Sequence, residues 1–372
     1  MEYNMKKLES FRLVKEFAPN EENPRNSEGD FIRGRDGKIY FAYSRYKAET
    51  GKYAQDGSND HAACDIYITA SSDEGETWSE PTLLASAEKD FGVHNIMSVS
   101  ALRQKDGECA FYFMIKENDG SSTLGRAFFE NGIRTERCSF IAPKTYYVIN
   151  NGRVVRLDDG TICAPAAKYP YLNPLPGEKQ IPKTVALLIS DDDGKTFRFH
   201  EESEQDPRSA FLRKTGGYEE PGIFILPDGR RWLYTRTKMR CQYQAFAPKG
   251  TLDFDELDLS EISSPRSPMS VFRGPDGSTY IVYNPIPHFD GQALPKGWNA
   301  GRTPLVIRKA DENGEFGELY IIEDDEKRGY CYTTAFFTND GSMLLSYCRG
   351  GEEDPRCLCR LGIAKIKVDE IV

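Results

Sequence analysis

Short apolar runs interrupted by an Asp-Gly pair recur six times along the chain. Two clear copies are Val271-Phe-Arg-Gly-Pro-Asp-Gly277-Ser-Thr-Tyr-Ile-Val-Tyr283 and Phe336-Phe-Thr-Asn-Asp-Gly341-Ser-Met-Leu-Leu-Ser-Tyr347. The six glycines are Gly37, Gly107, Gly160, Gly229, Gly277 and Gly341. An Asp-Gly pair between β-rich runs is typical of a tight hairpin, because glycine adopts positive φ without steric cost. Each copy therefore predicts two antiparallel strands.

The spacing of these hairpins predicts the fold class. Successive glycines are separated by 48 to 70 residues, which is enough for a four-stranded antiparallel sheet and its loops. Six such sheets arranged radially protect their own edges, as in a β-propeller. Nothing in the sequence has the composition of a linker or a low-complexity segment. We therefore predict an all-β, six-bladed β-propeller that forms a single domain over residues 1–372.

A second motif lies inside alternate repeats. Ser71-Ser-Asp73-Glu-Gly75-Glu-Thr77-Trp78 and Ser190-Asp-Asp192-Asp-Gly194-Lys-Thr196-Phe197 share the pattern S-x-D-x-G-x-T-aromatic, and a degenerate copy precedes Gly314. Each copy follows a hairpin glycine by 34 to 38 residues, which predicts the second hairpin of repeats one, three and five. In such a turn the aspartate accepts backbone amides and the aromatic ring packs between sheets. We interpret these aspartates as structural, not catalytic.

The repeat also predicts where a ligand binds. The first strand of each propeller repeat lines the central channel, and the Asp-Gly turn lies at one end of that strand. Residues nine to eleven positions earlier therefore ring the other mouth, toward which the second strands also end. Counting back nine gives Glu28, Ser98, Asn151, Glu220, Pro268 and Tyr332, and counting back eleven adds Asn26 and Tyr330. A polar ring at a channel mouth is typical of a small-molecule site, so we expect Glu28 and Asn151 to bind substrate.

Composition and charge exclude several classes of function. Lys and Arg number 48 against 58 Asp and Glu, for a net charge of −10, which argues against nucleic acid or an anionic membrane as the main partner. The longest apolar runs have about four residues, whereas a membrane helix needs about 20. The N-terminal residues have no stretch like a signal peptide. We expect a cytoplasmic protein.

Cysteine and histidine usage predicts no metal or cofactor. Nine cysteines without framework spacing favour reduced thiols. Cys357-Leu-Cys359 is compatible with a redox pair or half a metal site, but no second pair matches it, so structural thiols are the simpler interpretation. The four histidines lack metal-ligand spacing.

The S-x-D-x-G-x-T-W motif is the Asp box, and the chain resembles the sialidase (neuraminidase) superfamily over about residues 26–367. Glu220-Pro221, Asp228-Gly229-Arg230 and Arg236 resemble a family segment that supplies a glutamate and an arginine. In that family the glutamate partners a tyrosine nucleophile, and the arginine is one of three that bind the substrate carboxylate. Gly329-Tyr330-Cys-Tyr-Thr resembles the nucleophile segment, which implies Tyr330 as nucleophile, with Tyr332 as its neighbour.

The same resemblance implies further site residues. Arg302 lies where the family has another carboxylate-binding arginine. Asp60, before the first Asp box, resembles the family's loop aspartate, the general acid, although Asp56 or Asp65 are alternatives. Sialidases open the first inner strand with Arg-Ile-Pro, whereas this chain has Arg25 displaced from that place. We call the three carboxylate-binding arginines the arginine clamp, and Arg25, its third member, is therefore not in the position that the family has.

These residue types form a coherent chemistry. A tyrosine is a poor nucleophile unless a carboxylate takes its proton, and sialidases depart from the two-carboxylate glycosidase scheme in this way. Arginines bind a carboxylate through paired charge-assisted hydrogen bonds. The sequence predicts an exo-glycosidase that hydrolyses a terminal acidic sugar of an oligosaccharide. The alternatives are a uronate-oligosaccharide lyase and a non-catalytic carbohydrate-binding propeller.

Overall fold

The Asp-Gly turns join the first two strands of every repeat. Each turn glycine has a positive φ, which residues with a side chain disfavour. The structure is a computed structural model, and it describes residues 5–49, 60–117, 121–135, 139–169, 182–200, 217–286, 301–311 and 314–372. Everything that follows refers to those residues. Apart from two short helical turns, the regular secondary structure is β-strand.

The strands follow the repeats in chain order. Two strands precede the first repeat, β1 (Met5–Lys7) and β2 (Arg12–Phe17). The first two repeats supply β3 (Arg25–Arg33), β4 (Ile39–Tyr46), β5 (Cys64–Ser71), β6 (Thr82–Ala85), β7 (Asn95–Arg103), β8 (Cys109–Lys116), β9 (Ser122–Glu130), β10 (Ile133–Arg134) and β11 (Ser139–Phe140). A π-helical turn, Ala87–Phe91, lies between β6 and β7.

The remaining repeats have the same order of strands. Repeats three and four supply β12 (Tyr147–Val148), β13 (Val155–Arg156), β14 (Ile162–Lys168), β15 (Thr184–Ser190), β16 (Arg198–Phe199), β17 (Glu219–Ile225), β18 (Arg231–Arg236), β19 (Cys241–Ala247) and β20 (Asp258–Ser263). Repeats five and six supply β21 (Ser270–Arg273), β22 (Thr279–Tyr283), β23 (Leu305–Lys309), β24 (Leu319–Glu323), β25 (Cys331–Phe337), β26 (Ser342–Cys348) and β27 (Leu361–Lys367). A 3-10 turn, Val368–Glu370, follows.

The strands form an all-β, propeller-like arrangement, but the described residues do not give six separate sheets. They form five, because a parallel pair between Cys64 and Asn95 joins repeats one and two into a sheet of nine strands. The other sheets have the orders β12-β14-β15-β16 with β13 on β14, β17-β18-β19-β20, β1-β24-β23-β22-β21 and β2-β27-β26-β25. The predicted six-blade count is therefore not confirmed by the strand pairing.

The two ends of the chain close the ring. Strand β2 pairs antiparallel with β27, so a strand from the N-terminal part completes the sheet of the last repeat. The inner strands of the last and first repeats, β25 and β3, also contact each other. Apolar side chains fill the spaces between neighbouring sheets; for example, Phe31 and Phe41 of repeat one share a cluster with Leu344 of repeat six.

The Asp boxes form the predicted second hairpins. Asp73 accepts hydrogen bonds from the Thr77 backbone at 2.9 Å and the Thr77 hydroxyl at 2.6 Å, and Ser71 Oγ donates to it at 2.8 Å. Asp192 makes the same three contacts at the same distances in the second box. The structural role predicted for these aspartates is confirmed.

No helix among the described residues is long and apolar enough to cross a membrane.

Candidate active site

A bulge interrupts the inner strand in four of the six repeats, at the position nine residues before the hairpin glycine. The strand register shifts at Ser27/Gly29, Met97/Ser100, Glu219/Gly222 and Cys331/Thr334. The bulged residues have left-handed backbones: Glu28 (φ 50°), Ser98 (φ 61°), Glu220 (φ 51°) and Tyr332 (φ 60°). Bulges re-aim side chains, and left-handed backbones of residues other than glycine cluster at functional sites.

The four bulged residues line one cavity of about 400 Å³. Its lining also includes Asp60, Lys116, Lys183, Glu219, Arg236 and Arg266. A wider groove of about 1290 Å³ lies at the Asp-Gly turns of repeats four and five, but no tyrosine, cysteine or histidine lines it in the described part of the chain.

Tyr332 of repeat six and Glu220 of repeat four meet at the cavity. The Tyr332 hydroxyl donates to Glu220 Oε1 at 2.7 Å. Arg236 donates from Nη1 to Glu220 Oε2 at 2.5 Å and lies 3.5 Å from the Tyr332 hydroxyl. The tyrosine, the carboxylate and the guanidinium thus form one hydrogen-bonded unit.

Electrostatics keep the Tyr332 phenol protonated at neutral pH. Burial and then the charge of Glu220 raise the pKa of Tyr332 well above its usual value, although Arg236 and Arg302 oppose that shift. The Arg302 guanidinium lies 5.5 Å from the centre of the Tyr332 ring. A neutral phenol beside a carboxylate is a nucleophile whose base is already in place.

Glu219, the residue before Glu220, fixes the position of Arg236. It is buried and forms ion pairs with Lys183, Arg236 and Arg266, the contact to Arg236 measuring 3.1 Å. Burial alone would raise the pKa of Glu219, but the hydrogen bond from Arg266 and the charges of Arg236 and Lys183 hold it far below its usual value. Glu219 is therefore a permanent anion that orients three cations along the cavity.

A second cluster of charges faces this one. Arg25 is fully buried and donates to Asp60 Oδ1 at 2.6 Å, while its other terminal nitrogen lies 3.7 Å from Glu28 Oε1. Ser98 Oγ donates to Glu28 Oε2 at 3.0 Å, and Lys116 Nζ donates to the Asp60 carbonyl oxygen at 2.7 Å. The cluster holds two carboxyl groups in different surroundings.

Those surroundings separate the pKa values of the two carboxyl groups. Burial raises the pKa of Glu28 to about 7, against the opposing charge of Arg25. Burial also acts on Asp60, but the charges of Arg25 and Lys116 outweigh it and lower its pKa. Near neutral pH, Glu28 is therefore part-protonated and Asp60 is ionised.

The predicted placement of Tyr330 at the cavity is wrong. Its side chain is fully buried in the core between repeats five and six, and its ring lies 6.1 Å from that of Tyr347. The bulge is the physical reason, because the left-handed backbone at Tyr332 directs that side chain into the channel. In repeat six, the position nine residues before the glycine reaches the cavity, and the position eleven before it does not.

The predicted arginine clamp is not assembled in this structure. Arg236 lines the cavity, as the sequence predicted. Arg25 and Arg302 do not line it: Asp60 covers Arg25, and Arg302 donates to the sulfur of Cys331 at 3.0 Å. The first inner strand, which begins at Arg25, also lacks the sequence Arg-Ile-Pro.

Asn151 also differs from its predicted role in substrate binding. It is buried, and its amide donates to the carbonyl oxygens of Gly29 and Tyr332, at 3.0 and 3.1 Å. The side chain therefore ties together the bulged strands of repeats one and six. Of the other acids considered, Asp65 is buried and pairs with Lys47, and residue 56 lies outside the described residues.

Sequence reasoning missed Lys116, Lys183 and Arg266 at the cavity. Two of them obey the rules that the repeat supplies. Arg266 lies eleven residues before Gly277, and Lys116 ends the second strand of its repeat. Lys183 precedes a third strand, for which the repeat gave no rule.

Comparison with known proteins agrees with this architecture. Residues 53–345 match the sequence model of the BNR repeat-like domain. None of the curated proteins matches the chain. A protein of unknown function from Dyadobacter fermentans DSM 18053 has a TM-score of 0.67 and 17% identity, over 97% of this chain and 100% of that one.

Two further solved structures are sialidases by name. The NanB sialidase from Streptococcus pneumoniae (K499G mutant) has a TM-score of 0.64 and 11% identity, over 98% of this chain and 71% of that one. The intramolecular trans-sialidase from Ruminococcus gnavus has a TM-score of 0.61 and 14% identity, over 95% and 97%. At these identities the likeness concerns the fold.

Proposed function

The chain belongs to the BNR repeat-like domain family, and from that premise we propose that it is a glycosidase that hydrolyses a terminal acidic sugar. Tyr332 is the nucleophile and Glu220 is its base. The observation that carries the proposal is the 2.7 Å hydrogen bond from the Tyr332 hydroxyl to Glu220 Oε1, inside a cavity lined by charged groups. We also propose that the nine-stranded sheet is two blades, which gives six blades in total.

The reaction takes two steps. The Tyr332 oxygen attacks the anomeric carbon while Glu220 accepts the phenolic proton, and the bond to the leaving oxygen breaks. Arg236 contacts both Glu220 and Tyr332, so it compensates charge as the proton moves. Water then attacks the anomeric carbon and cleaves the tyrosyl-sugar bond, giving one proton to the carboxylate that protonated the leaving oxygen, while the proton on Glu220 returns to the phenolate. The scheme retains the anomeric configuration.

The leaving oxygen needs a proton donor. The family resemblance implies Asp60, but the ion pair with Arg25 keeps that carboxyl ionised near neutral pH. Glu28 lines the same cavity, and its pKa of about 7 suits an acid that works near neutrality. We therefore assign proton donation to Glu28 and keep Asp60 as the partner of Arg25.

The charge of the cavity supports an acidic substrate. Four basic residues, Lys116, Lys183, Arg236 and Arg266, line it together with four acidic ones, Glu28, Asp60, Glu219 and Glu220. With Glu28 protonated, this lining carries one net positive charge, which favours a monoanion. Arg266 keeps 46% of its side chain exposed while its guanidinium pairs with Glu219. The sialidase names of the structural neighbours agree with this substrate class.

A mass-spectrometric screen over a mixed library of acidic and neutral oligosaccharides tests the proposal. Wild-type protein is compared with Tyr332→Phe, and with Tyr330→Phe as the matched control. We expect loss of a terminal acidic residue with wild type and Tyr330→Phe, and no turnover with Tyr332→Phe. Release of an unsaturated, ultraviolet-absorbing uronate would support the lyase alternative instead. Binding without turnover would support the binding-module alternative.

A further inference from the structure

Three cysteines lie close to Arg302, an arginine that has no role in the proposed reaction. Cys331 begins β25, Cys348 ends β26, and the two are register partners. Cys357 comes from the turn between β26 and β27, and all three side chains are buried. All three are free thiols. We call Cys331, Cys348 and Cys357 the thiol cluster.

The contacts within the thiol cluster are close. The sulfurs of Cys348 and Cys357 are both neighbours of the Cys331 sulfur. Arg302 points one terminal nitrogen at the cluster, 3.0 Å from the Cys331 sulfur and 3.7 Å from the Cys357 sulfur. Among the described residues, Arg302 forms no ion pair with a carboxylate. Its charge is therefore directed at sulfur.

An adjacent guanidinium favours the thiolate over the thiol. The two sulfurs closest to Arg302 have pKa values that are shifted in opposite directions. The Cys331 thiol and the charge of Arg302 lower the pKa of Cys357 to about 6, despite burial. Burial raises the pKa of Cys331 well above its usual value. This places a thiolate beside a thiol, which is the arrangement of an attacking and a resolving cysteine.

Cys357 lies in a turn that is partly exposed. Its neighbours Pro355 and Arg356 are exposed and Leu358 is half-buried, and Cys357 itself keeps 4% of its surface accessible against 1% for Cys331. Cys331 lies deeper, at the start of an inner strand. The more reactive sulfur is therefore the one nearer to solvent.

We propose that Cys357 and Cys331 are a redox-active pair that hydrogen peroxide converts into a disulfide. The Cys357 thiolate attacks one peroxide oxygen, the O–O bond breaks, and the departing hydroxide takes a proton to become water. The Cys331 sulfur then attacks the sulfur of the Cys357 sulfenic acid and expels a second hydroxide, which leaves as water with the Cys331 proton. Two thiols are oxidised and one peroxide is reduced to two waters.

The pair is coupled to the cavity through two neighbours. Tyr332 directly follows Cys331 within the bulge, and Arg302 contacts both sulfurs and the face of the Tyr332 ring. A disulfide removes the thiolate from Arg302 and restrains the residue before Tyr332. This coupling rests on the proposed function, whereas the disulfide itself does not.

Peptide mapping of the full chain tests the pair. Protein is treated with a few equivalents of hydrogen peroxide, free thiols are blocked with N-ethylmaleimide, and the digest is analysed without reduction. We expect a Cys331–Cys357 cross-linked peptide that dithiothreitol removes. Cys331→Ser should leave a sulfenic acid on Cys357 that dimedone traps, and Cys357→Ser should abolish the cross-link. Cys163→Ser is the matched control, because Cys163 is buried and burial raises the pKa of its thiol to about 12.

The outcomes separate the pair from the proposed function. A Cys331–Cys348 disulfide, or no oxidation at Cys357 in folded wild type, would overturn the pair without any variant needing to fold. If the disulfide forms and kcat on the substrate found in the screen is unchanged, the coupling is refuted while the pair stands. If neither form turns over any glycoside, the proposed function fails and the mapping result is unaffected.

Discussion

Carboxylates in the Asp-box turns and at the bulges of the inner strands are used in opposite ways. At the Asp-box turns, Asp73 and Asp192 accept their hydrogen bonds from residues of the same turn, and those bonds help to lower their pKa values. At the bulges, Glu28 accepts from Ser98 and Glu220 accepts from Tyr332, both of which belong to other repeats, and Glu220 also accepts from Arg236 of its own repeat. A carboxylate with local partners stabilises its turn, whereas one whose partners are distant in sequence is available for chemistry.

Removal of the Tyr332 hydroxyl should have the largest effect. In Tyr332→Phe we expect turnover to fall by roughly 10²-fold or more, because the attacking oxygen is lost while the ring is kept. Stability should change little. Tyr330→Phe is the matched control, since that side chain lies in the core and should keep near-wild-type kcat. Steady-state kinetics and thermal unfolding measure both, and equal losses in the two variants would contradict the assignment.

Loss of the Glu220 carboxylate should match that effect without adding to it. We expect Glu220→Gln to lower kcat by roughly 10²-fold, because the phenol then lacks its base. The double variant with Tyr332→Phe should be little worse than either single variant, since groups that act as a unit are not additive. Multiplied losses in the double variant would show that the two residues act independently.

These contrasts also show what the sequence could predict. The Asp-Gly turns and Asp boxes are local, so residue type and spacing were enough to predict the all-β repeat. Counting nine residues back identified the cavity position of Tyr332, because the bulge keeps a constant distance from the turn. The choice of Tyr330 failed because the family motif alone does not show which tyrosine takes the left-handed backbone.

The pairing of the arginines could not be predicted for a related reason. Arg25 and Arg302 are close to the cavity, but their partners come from distant parts of the chain: Asp60 for Arg25, and Cys331 and Cys357 for Arg302. Spacing along one strand carries no information on such contacts between separate segments of the chain.

The pH dependence of catalysis separates the two carboxyl groups near Arg25. Because the pKa of Glu28 is about 7, we expect kcat/KM to fall as pH rises through neutrality, when Glu28 loses the proton it would donate. Glu28→Gln should abolish this fall and should retain more activity on aryl glycosides with good leaving groups. Asp30→Asn is the control, because burial also raises the pKa of Asp30 to about 7 but Asp30 does not line the cavity. A fall that persists in Glu28→Gln would contradict the assignment.

The same raised pKa predicts the direction of a stability change. The folded chain holds a proton on Glu28 between its ordinary pKa of 4.5 and about 7, a range in which the unfolded chain releases it. The contribution of Glu28 is therefore lost as pH rises through that window. Asp30 contributes in the same direction, so unfolding midpoints of Glu28→Gln and Asp30→Asn should each vary less with pH than those of wild type. A steeper pH dependence in either variant would contradict this.

The smallest effect should come from the Asp-box turns, and it should fall on stability alone. Asp73→Ala removes an acceptor for the Thr77 amide, the Thr77 hydroxyl and Ser71. Because this turn is largely exposed and water can replace part of what is lost, we expect a loss of about 1–2 kcal/mol in the free energy of unfolding. Asp192→Ala has the same contacts in another repeat, so the two losses should agree within about 0.5 kcal/mol and add in the double variant. Denaturant unfolding measures them. Since neither Asp-box turn lines the cavity, kcat of the folded protein should be unchanged. A reduced kcat at unchanged stability would mean that local partners do not confine a carboxylate to a structural role.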